Sequence, residues 1–371
     1  MGVSGNHGPK SIVLALEVVD SDGGIADFVY ELCEAIVPYY SKLVYISRNN
    51  DNKKARLKGR QRLKIVEIKA KTRLSYLFKS IIAAIQYDID AVHCMHINLL
   101  PIAIITKFVS SCKVYSYYYG IEVFKKASIL PRIYKFYIDR AICISTFTER
   151  NARVNGYLAA KTKVSIVNPG VSSAFLQNID QVLEKKESYD NRGPVLITIS
   201  RLSNSDKYKG IDKVLYCIPE LRKQWPRMKY VIIGKGDDEK RLMRISEILG
   251  INENVVFKGF LSIGEKALEL ANADVFLMPS TGEGFGIVFL EALAAGLPVI
   301  GGNKDGSLDA LAYSKNTIAI NPDDRRELID AINQSLSEKR TGVAYRIDGR
   351  MLRKIFQCKL YDYHIEDGIL V

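Results

Sequence analysis

The chain has 371 residues, which is too long for one hydrophobic core and predicts two domains. Its apolar content of 47% and charged content of 25% are ordinary for a soluble globular protein and exclude a disordered chain. The net charge of +12 and the pI of about 9.2 favour anionic partners, such as nucleotide diphosphates, acidic lipid headgroups or nucleic acid.

The cysteines and the apolar runs exclude further classes of protein. The six cysteines are scattered and lie mostly in apolar strings, which predicts reduced, buried thiols of a cytoplasmic protein and no disulfide framework or zinc site. Residues 1–8 have no apolar core of the kind that a secretion signal needs. No uncharged apolar run reaches the roughly 18 residues that a membrane-spanning helix requires.

The N-terminal half alternates apolar runs with helical patterns, which predicts parallel strands covered by helices. A strand at 11–19 is followed by a glycine turn that ends at Gly24, and then by a helix with Phe28, Leu32 and Ile36 on one face. Further strands are predicted at 43–47, 63–68, 90–96, 113–119, 141–145 and 164–171, and a helix at 74–85. Ser145 or Thr146 is expected to cap the helix that closes this domain.

Two basic segments of this half have more than one interpretation. The run of Lys and Arg between residues 48 and 64 is typical of a solvated surface. Residues 125–140 interleave basic and large apolar side chains, which suits either an acidic membrane surface or a helix that packs its apolar stripe inward.

Two histidines lie close together near the end of the predicted strand at 90–96. His93 fits a buried strand position, whereas His96 falls at the carboxyl edge, where open α/β sheets bind ligands. The alternative is that both are core or loop histidines with ordinary hydrogen bonds.

Residues 177–193 are polar and charged, with few large apolar groups, and are predicted to be a linker. It separates an N-terminal domain, residues 1–176, from a C-terminal domain, residues 194–345. Strands are predicted in the second domain at 194–200, 228–233, 254–260 and 274–278, and a helical stretch at 346–364 follows.

The most informative stretch is residues 274–298, where a strand, a glycine-rich turn, a helix and a Gly-Leu-Pro stop follow one another. Such a turn presents backbone N–H groups at the start of a helix, where an anion binds. The helix is apolar throughout except for Glu291, so it is predicted to be buried. A buried carboxylate needs a partner. That partner is either a polar group of the bound ligand, such as a ribose diol, or a neighbouring backbone group.

Glu283 and Glu291, with Gly-Phe-Gly between them and Gly-Leu-Pro-Val after them, resemble the signature of the retaining glycosyltransferases of family 4. The resemblance covers roughly residues 12–325. It implies an α/β chain of the GT-B fold, in which two Rossmann-like domains face each other across a cleft that holds a nucleotide sugar. It also implies that no metal is used and that residues 346–371 form a C-terminal helix crossing back to the first domain.

The resemblance assigns donor-binding roles to residues of the second domain. Glu291 takes the ribose hydroxyls, while Glu283 takes the hexose and, with backbone N–H groups, the diphosphate; the N–H groups are those of Phe285, Gly286, Ile287 and Val288. Arg201 and Lys209 correspond to the cations that contact the donor diphosphate, with Lys207 as a substitute for Lys209. Gly234 belongs to a Gly-x-Gly turn of the same site.

The resemblance also assigns residues of the first domain. Gly24 corresponds to a loop that offers N–H groups to the donor phosphate. Residues 90–96 resemble a strand ending in Asp-x-Val-His-x-His, with one extra residue between the histidines, and His96 is assigned to the sugar. Residues 119–124 resemble the His-Gly-x-Asp/Glu loop of the family, with Tyr119 in place of the His, which makes Glu122 an acceptor-side candidate.

The function implied is transfer of a hexose, with retention, from a UDP- or GDP-sugar to a hydroxyl of a glycan or lipid-linked sugar. It would occur in the cytoplasm or peripherally on the inner face of the membrane. One alternative keeps the fold but makes the protein a nucleotide-sugar epimerase. Another, based on charge alone, is a non-enzymatic binder of nucleic acid or a membrane surface. Since it leaves Glu291 unexplained, no nucleic-acid partner is expected.

Overall fold

The computed structural model describes residues 9–14, 24–36, 40–48, 65–70, 72–185 and 192–340, together with residues 347, 348, 351, 366 and 367. The basic segment at 49–64 and most of the helix predicted at 346–364 therefore lie outside the described residues. The chain divides into two compact units: unit 1 is Met1–Gly170 with Lys354–Val371, and unit 2 is Val171–Arg353.

Unit 1 contains a seven-stranded parallel sheet in the order β3-β2-β1-β4-β5-β6-β7. Its strands are β1 Lys10–Leu14, β2 Lys42–Arg48, β3 Ile65–Ala70, β4 Ala91–Cys94, β5 Lys113–Tyr118, β6 Arg140–Cys143 and β7 Lys163–Ile166. Its helices are α1 Gly24–Ile36, α2 Arg73–Tyr87, α3 Leu100–Ser110, α4 Ile129–Tyr134 and α5 Thr146–Val154. The order reverses between β1 and β4, so the switch point, where open α/β sheets bind ligands, lies beside the ends of these two strands.

Unit 2 contains a six-stranded parallel sheet in the order β10-β9-β8-β11-β12-β13. Its strands are β8 Val195–Ile199, β9 Lys229–Ile233, β10 Val255–Gly259, β11 Val275–Met278, β12 Val299–Gly302 and β13 Thr317–Ile320. Its helices are α6 Ser173–Glu184, α7 Ile211–Gln224, α8 Glu239–Ile248, α9 Ile263–Asn272, α10 Ile287–Ala294, α11 Ser307–Leu311 and α12 Arg325–Arg340. Here the switch point lies between β8 and β11.

The central strands of both sheets are buried and mostly apolar, as parallel strands covered by helices require. The predicted cap of α5 is confirmed, since the Ser145 hydroxyl accepts a hydrogen bond from the Thr148 N–H at 3.0 Å.

Two segments differ from the sequence predictions. The first half of the predicted linker at 177–193 is helical, because α6 starts at the Ser172 cap and buries Phe175, Leu176 and Ile179. These apolar residues lie mostly before the polar stretch that suggested a linker, and α6 packs on α9. The inward-packing helix that was one interpretation of residues 125–140 is not formed, since this stretch contains the short α4 and a 3₁₀ turn, Lys135–Tyr137, and α4 buries none of its residues.

Candidate active site

The charged residues singled out in the sequence gather at the switch point of unit 2. Arg201 follows β8 by two residues, and the loop from Ser280 to Gly286 follows β11. These two strands are neighbours in the sheet, so both loops leave the same edge. Lys209 ends a 3₁₀ turn, Asn204–Lys209, that lies between β8 and α7.

The glycine-rich turn leads directly into α10, whose N-terminus has no side-chain cap. Gly286 precedes the helix with a φ of 86°, a left-handed conformation that favours glycine. No side chain accepts from the first turn of α10, which is described in full. The first N–H groups of a helix have no partner within it, so those of Ile287 and Val288 are oriented to bind an anion. Phe285 instead is buried and packs edge-on against Tyr313.

Glu283 and Lys209 form an ion pair at the start of this turn. Lys209 Nζ donates to Glu283 Oε2 at 3.1 Å, and both side chains are mostly buried. Lys207, the alternative cation, lies instead 4.0 Å from Asp238. The geometry therefore selects Lys209 as the lysine beside the carboxylate.

Arg201 is hydrogen-bonded through Nε, but most of its side chain is exposed. Its Nε donates to the buried Asp206 at 2.6 Å, while the side chain is 68% exposed. The bond to Asp206 raises the pKa of Arg201, and the negative charge of Glu283 acts in the same direction. Burial, followed by the charge of Glu283, raises the pKa of Tyr208. These shifts indicate that Arg201, Tyr208 and Glu283 share one electrostatic environment.

Glu291 lies on the buried side of α10 and is 6% exposed. Its Oε1 accepts from Lys266 Nζ of α9 at 2.5 Å. Lys266 in turn lies over the ring of Phe175, 5.1 Å from its centroid. Glu291 Oε2 is buried and has no hydrogen-bond partner among the described residues. The scaffold thus satisfies one oxygen of this carboxylate and leaves the other for a further donor.

Asp305 organises the loop, a role that the sequence alone did not reveal. It is buried, and its Oδ2 accepts from the Ser280 hydroxyl and the Glu283 N–H, both at 2.7 Å. Its Oδ1 accepts from the Ser307 N–H at 3.0 Å. Its place just after β12, at the same sheet edge, is the signal that could have found it. Lys266 carried no such signal, because a lysine in the first turn of a helix is ordinarily solvated.

The glycines of the site allow backbones to cross in close contact. A Cβ on Gly234, whose φ is 140°, would lie 1.8 Å from the Ser200 carbonyl oxygen. A Cβ on Gly306 would lie 2.1 Å from the carbonyl oxygen of Gly284. Gly234 thus fixes how β9 passes the end of β8, and Gly306 holds the glycine-rich turn against the loop after β12.

The two histidines of unit 1 occupy different environments. His93 is fully buried on β4, where Nδ1 is 2.8 Å from the Tyr117 hydroxyl and Nε2 is 3.2 Å from that of Tyr40. His96 lies just beyond β4, and its Nδ1 accepts from the Asn98 N–H at 3.1 Å. His93 is therefore a core residue, and His96 is the histidine at the carboxyl edge.

The other candidates in unit 1 are also near strand ends. Gly24 is the first residue of α1, the helix after β1. Glu122 folds back on its own loop, where it accepts from the Tyr119 N–H, and burial raises its pKa. Its carboxylate thus supports the 3₁₀ turn at Ile121–Val123. A role toward an acceptor stays a prediction.

Among the described residues, no group of three His, Cys, Asp or Glu side chains has the arrangement of a metal site, and no helix is long and apolar enough to cross a membrane. The absence of a metal requirement stays a prediction.

Comparison with known proteins finds a family match for part of the chain. Residues 180–350, the group 1 segment, match the family described as glycosyl transferases group 1. Glu283, Glu291, Arg201 and Lys209 all lie within the group 1 segment.

Individual relatives also match part of the chain. A GDP-mannose-dependent alpha-(1-6)-phosphatidylinositol monomannoside mannosyltransferase of Mycolicibacterium smegmatis is 32% identical over 191 residues, 49% of each chain. An alpha-monoglucosyldiacylglycerol synthase of Streptococcus pneumoniae is 31% identical over 151 residues, which are 38% of this chain and 33% of the relative. The chain thus spans half or less of the length of these relatives.

Solved structures extend the likeness to the whole chain. A glycosyltransferase from Rickettsia africae superposes with a TM-score of 0.73 and 15% identity over 98% of this chain and 99% of its own. Anabaena Alr3699/HepE, in complex with UDP and glucose, superposes with a TM-score of 0.68 and 17% identity. The match covers 96% of this chain and 95% of the Anabaena chain. The predicted GT-B fold is confirmed.

Proposed function

We propose that this protein is a retaining glycosyltransferase that moves a hexose from a UDP- or GDP-sugar to a hydroxyl of a glycan or lipid-linked acceptor. The observation that carries the proposal is Glu291, whose Oε2 is buried without a partner among the described residues. A ribose diol would donate to this oxygen, which removes the cost of leaving it unpaired. Glu291 lies about 6 Å along α10 from the anion-binding end, the reach of a nucleotide.

The remaining groups suit the diphosphate and the hexose. The N–H groups of Ile287 and Val288 would bind phosphate oxygens, and Arg201 and Lys209 would bring two positive charges to them. Glu283, which Asp305 holds in place through the backbone, would accept from hexose hydroxyls. When a donor binds, its phosphates would share Lys209 with Glu283.

These charges favour departure of the nucleotide diphosphate. As the glycosidic C–O bond breaks, its electron pair passes to the phosphate oxygen, which gains negative charge. Cations and N–H groups already in position stabilise that charge more in the transition state than in the bound donor. In the proposed front-face reaction, the acceptor hydroxyl attacks the same face of the sugar, and its proton passes to the leaving phosphate. No side chain needs to act as the nucleophile, and no metal is proposed.

The substrate class follows from two lines of support. The names of the relatives specify GDP-mannose and lipid acceptors, and the Anabaena structure contains UDP and glucose. The pI of about 9.2 suits an anionic donor and an anionic acceptor. His96 is proposed to position the sugar, Gly24 the phosphate and Glu122 the acceptor, on the family resemblance. The predicted cytoplasmic location, peripheral on the inner face of the membrane, is retained as part of this proposal.

The test begins with a thermal-shift panel of UDP-, GDP- and ADP-sugars, because a ligand of the native state raises Tm. A UDP- or GDP-sugar should give the largest shift. Glu291→Gln should then weaken binding of that donor about thirtyfold, since a hydrogen bond to a charged group contributes about 2 kcal/mol. The matched control is Glu269→Gln, whose carboxylate pairs with Lys258 at 3.0 Å. Calorimetric titration measures the donor affinity of both variants.

Two outcomes would overturn the proposal. Unchanged donor affinity in Glu291→Gln, with the fold intact, would mean that this carboxylate does not bind the nucleotide. Release of a free epimer from donor alone would identify an epimerase instead. Transfer to an acceptor with the anomeric configuration kept would support the retaining mechanism.

A further inference from the structure

Helix α2 of unit 1 places its largest apolar side chains outward. The residues that face the sheet are small or polar, apart from one tyrosine: Tyr76, Ser80, Ala83 and Ala84. The exposed side carries a stripe at helical spacing, Leu74, Phe78, Ile82 and Ile85. Phe78, for example, is 60% exposed. An ordinary surface helix has the reverse arrangement, with its apolar stripe against the core.

The apolar surface continues over the next two helices. Helix α3 packs beside α2 and exposes Ile105, Phe108 and Val109. The ring of Phe108 meets that of Tyr137 edge-on, with centroids 5.4 Å apart, which joins α3 to the 3₁₀ turn after α4. Helix α4 buries none of its six residues, all of which are described. It exposes Ile129, Leu130 and Ile133.

The same surface is positively charged. The segments 73–87, 100–110 and 124–138 contain no Asp or Glu, but they contain seven basic residues: Arg73, Lys79, Lys107, Lys125, Lys126, Arg132 and Lys135. Lys125, Lys126 and Arg132 are exposed beside the apolar side chains of α4. Lys107 pairs with Asp139, outside these segments, so the positive charge at the surface comes mainly from the others. Large apolar side chains fringed by exposed cations match the interface of a bilayer with anionic lipids.

We propose that this surface, formed by α2, α3, α4 and the turn Lys135–Tyr137, docks on the face of a lipid bilayer that contains anionic lipids. The apolar side chains enter the boundary between headgroups and acyl chains, and the lysines and arginines contact lipid phosphates. A second copy of the chain is a poorer occupant, because two surfaces without acidic residues repel each other. Nucleic acid is also a poorer match, because the exposed Phe78 and Phe108 make this surface apolar, whereas a nucleic-acid backbone needs polar contacts.

The test is co-sedimentation with vesicles of phosphatidylcholine alone or mixed with phosphatidylglycerol. The full chain should sediment with the mixed vesicles. Phe136, in the turn Lys135–Tyr137, is also exposed. The triple variant Phe78→Ser, Phe108→Ser, Phe136→Ser should lower the partition coefficient at least about tenfold, because it removes the apolar anchors. The control carries as many exposed apolar changes outside the surface: Val154→Ser, Met243→Ser and Ile248→Ser.

A second pair of variants tests the charge. Lys125→Gln with Lys126→Gln should weaken binding to the mixed vesicles about thirtyfold, because each basic side chain near an anionic surface contributes about 1 kcal/mol. The control pair is Lys223→Gln with Lys240→Gln, which are exposed on helices of unit 2. Circular dichroism verifies that each variant is folded.

Sedimentation of the triple phenylalanine variant at the wild-type level would overturn the proposal. So would light scattering that shows a dimer abolished by the triple variant, with no binding to vesicles by either protein, because the occupant would then be a second copy. Neither result bears on donor binding, whose proposed residues lie outside this surface.

Discussion

The two units have the same doubly wound layout but use their helices differently. In unit 2, α7 turns Ile211, Val214 and Leu215 toward the sheet and presents charged residues outward. In unit 1, α2 turns alanines inward and Phe78 outward. Unit 2 concentrates its polar groups at one sheet edge, where a small anion would bind. Unit 1 instead exposes large apolar groups on α2, α3 and α4.

Fold and surface are set by different features of the sequence. Buried, mostly apolar strands occur in both sheets. The two units differ in their loops and helix surfaces, not in their strands.

The largest effect is expected at the donor edge of unit 2. Lys209→Met should lower kcat by about 10²–10³, the usual cost of removing one preorganised charge that stabilises a leaving group. Lys207→Met, two residues away and paired with Asp238, should leave kcat within a few-fold. Steady-state kinetics with a UDP- or GDP-sugar distinguishes them. Equal losses in both variants would mean that the pairing with Glu283 does not mark the functional lysine.

Asp305→Ala should destabilise unit 2 by about 3 kcal/mol, because it leaves the N–H groups of Glu283 and Ser307 without their acceptor and removes one of the two partners of the Ser280 hydroxyl. Trp225, the single tryptophan, is buried in unit 2, so its fluorescence in urea reports the unfolding of that unit. Circular dichroism reports both units. A fluorescence midpoint equal to that of the wild type would show that Asp305 does not hold this loop.

The next prediction concerns the response of unit 1 to acid. Asp367 is buried, which raises its pKa, but bonds from Arg140 and Lys163 outweigh this and lower it to about 2. Its contribution to stability is therefore present above the ordinary pKa of 3.8 and is lost as pH falls toward 2. Asp367→Asn should destabilise unit 1 by about 2 kcal/mol at neutral pH and remove this acid dependence.

A matched carboxylate in unit 2 is the control for this change. The exposed Asp323, whose bonds to Lys213 and Lys304 also lower its pKa to about 2, should matter little when changed to Asn. Hydrogen exchange of β5 and β6 against pH measures the first effect, and fluorescence of Trp225 the second. Acid dependence unaltered in Asp367→Asn would contradict the assignment.

The smallest effect is the coupling between Glu291 and Lys266. In a double-mutant cycle of Glu291→Gln and Lys266→Met, donor-binding free energies should couple by about 1 kcal/mol, because Lys266 holds the carboxylate through Oε1. Strict additivity would mean that the ion pair does not position Glu291 for the donor. Calorimetric titration supplies all four affinities.

The sequence predicted much of the fold and part of the candidate site. Apolar runs located the strands, and α10 lies within the stretch predicted to be a buried helix, because a glycine turn and an all-apolar helix are strong local signals. The linker was misjudged, since α6 buries its apolar residues near its own start. Periodicity alone could not show that the apolar stripe of α2 faces outward, because it identifies a face but not its neighbour.

The partners of charged side chains were less predictable still. Burial of Glu291 followed from its surroundings in the chain, but Lys266 lies 25 residues away and is brought to it by the packing of α9 on this part of unit 2. The same holds for Asp305 and Ser280, which also lie 25 residues apart in the chain. Such pairs depend on the order of strands in the sheet, which one sequence does not state.

The close backbone crossings at Gly234 and Gly306 limit how donor preference could be redesigned. A single added methyl group at either position would push two loops apart, so neither loop tolerates variation at its point of contact. A library of variants aimed at a new sugar should therefore keep these glycines and vary only the side chains around them, so that the backbone is unchanged.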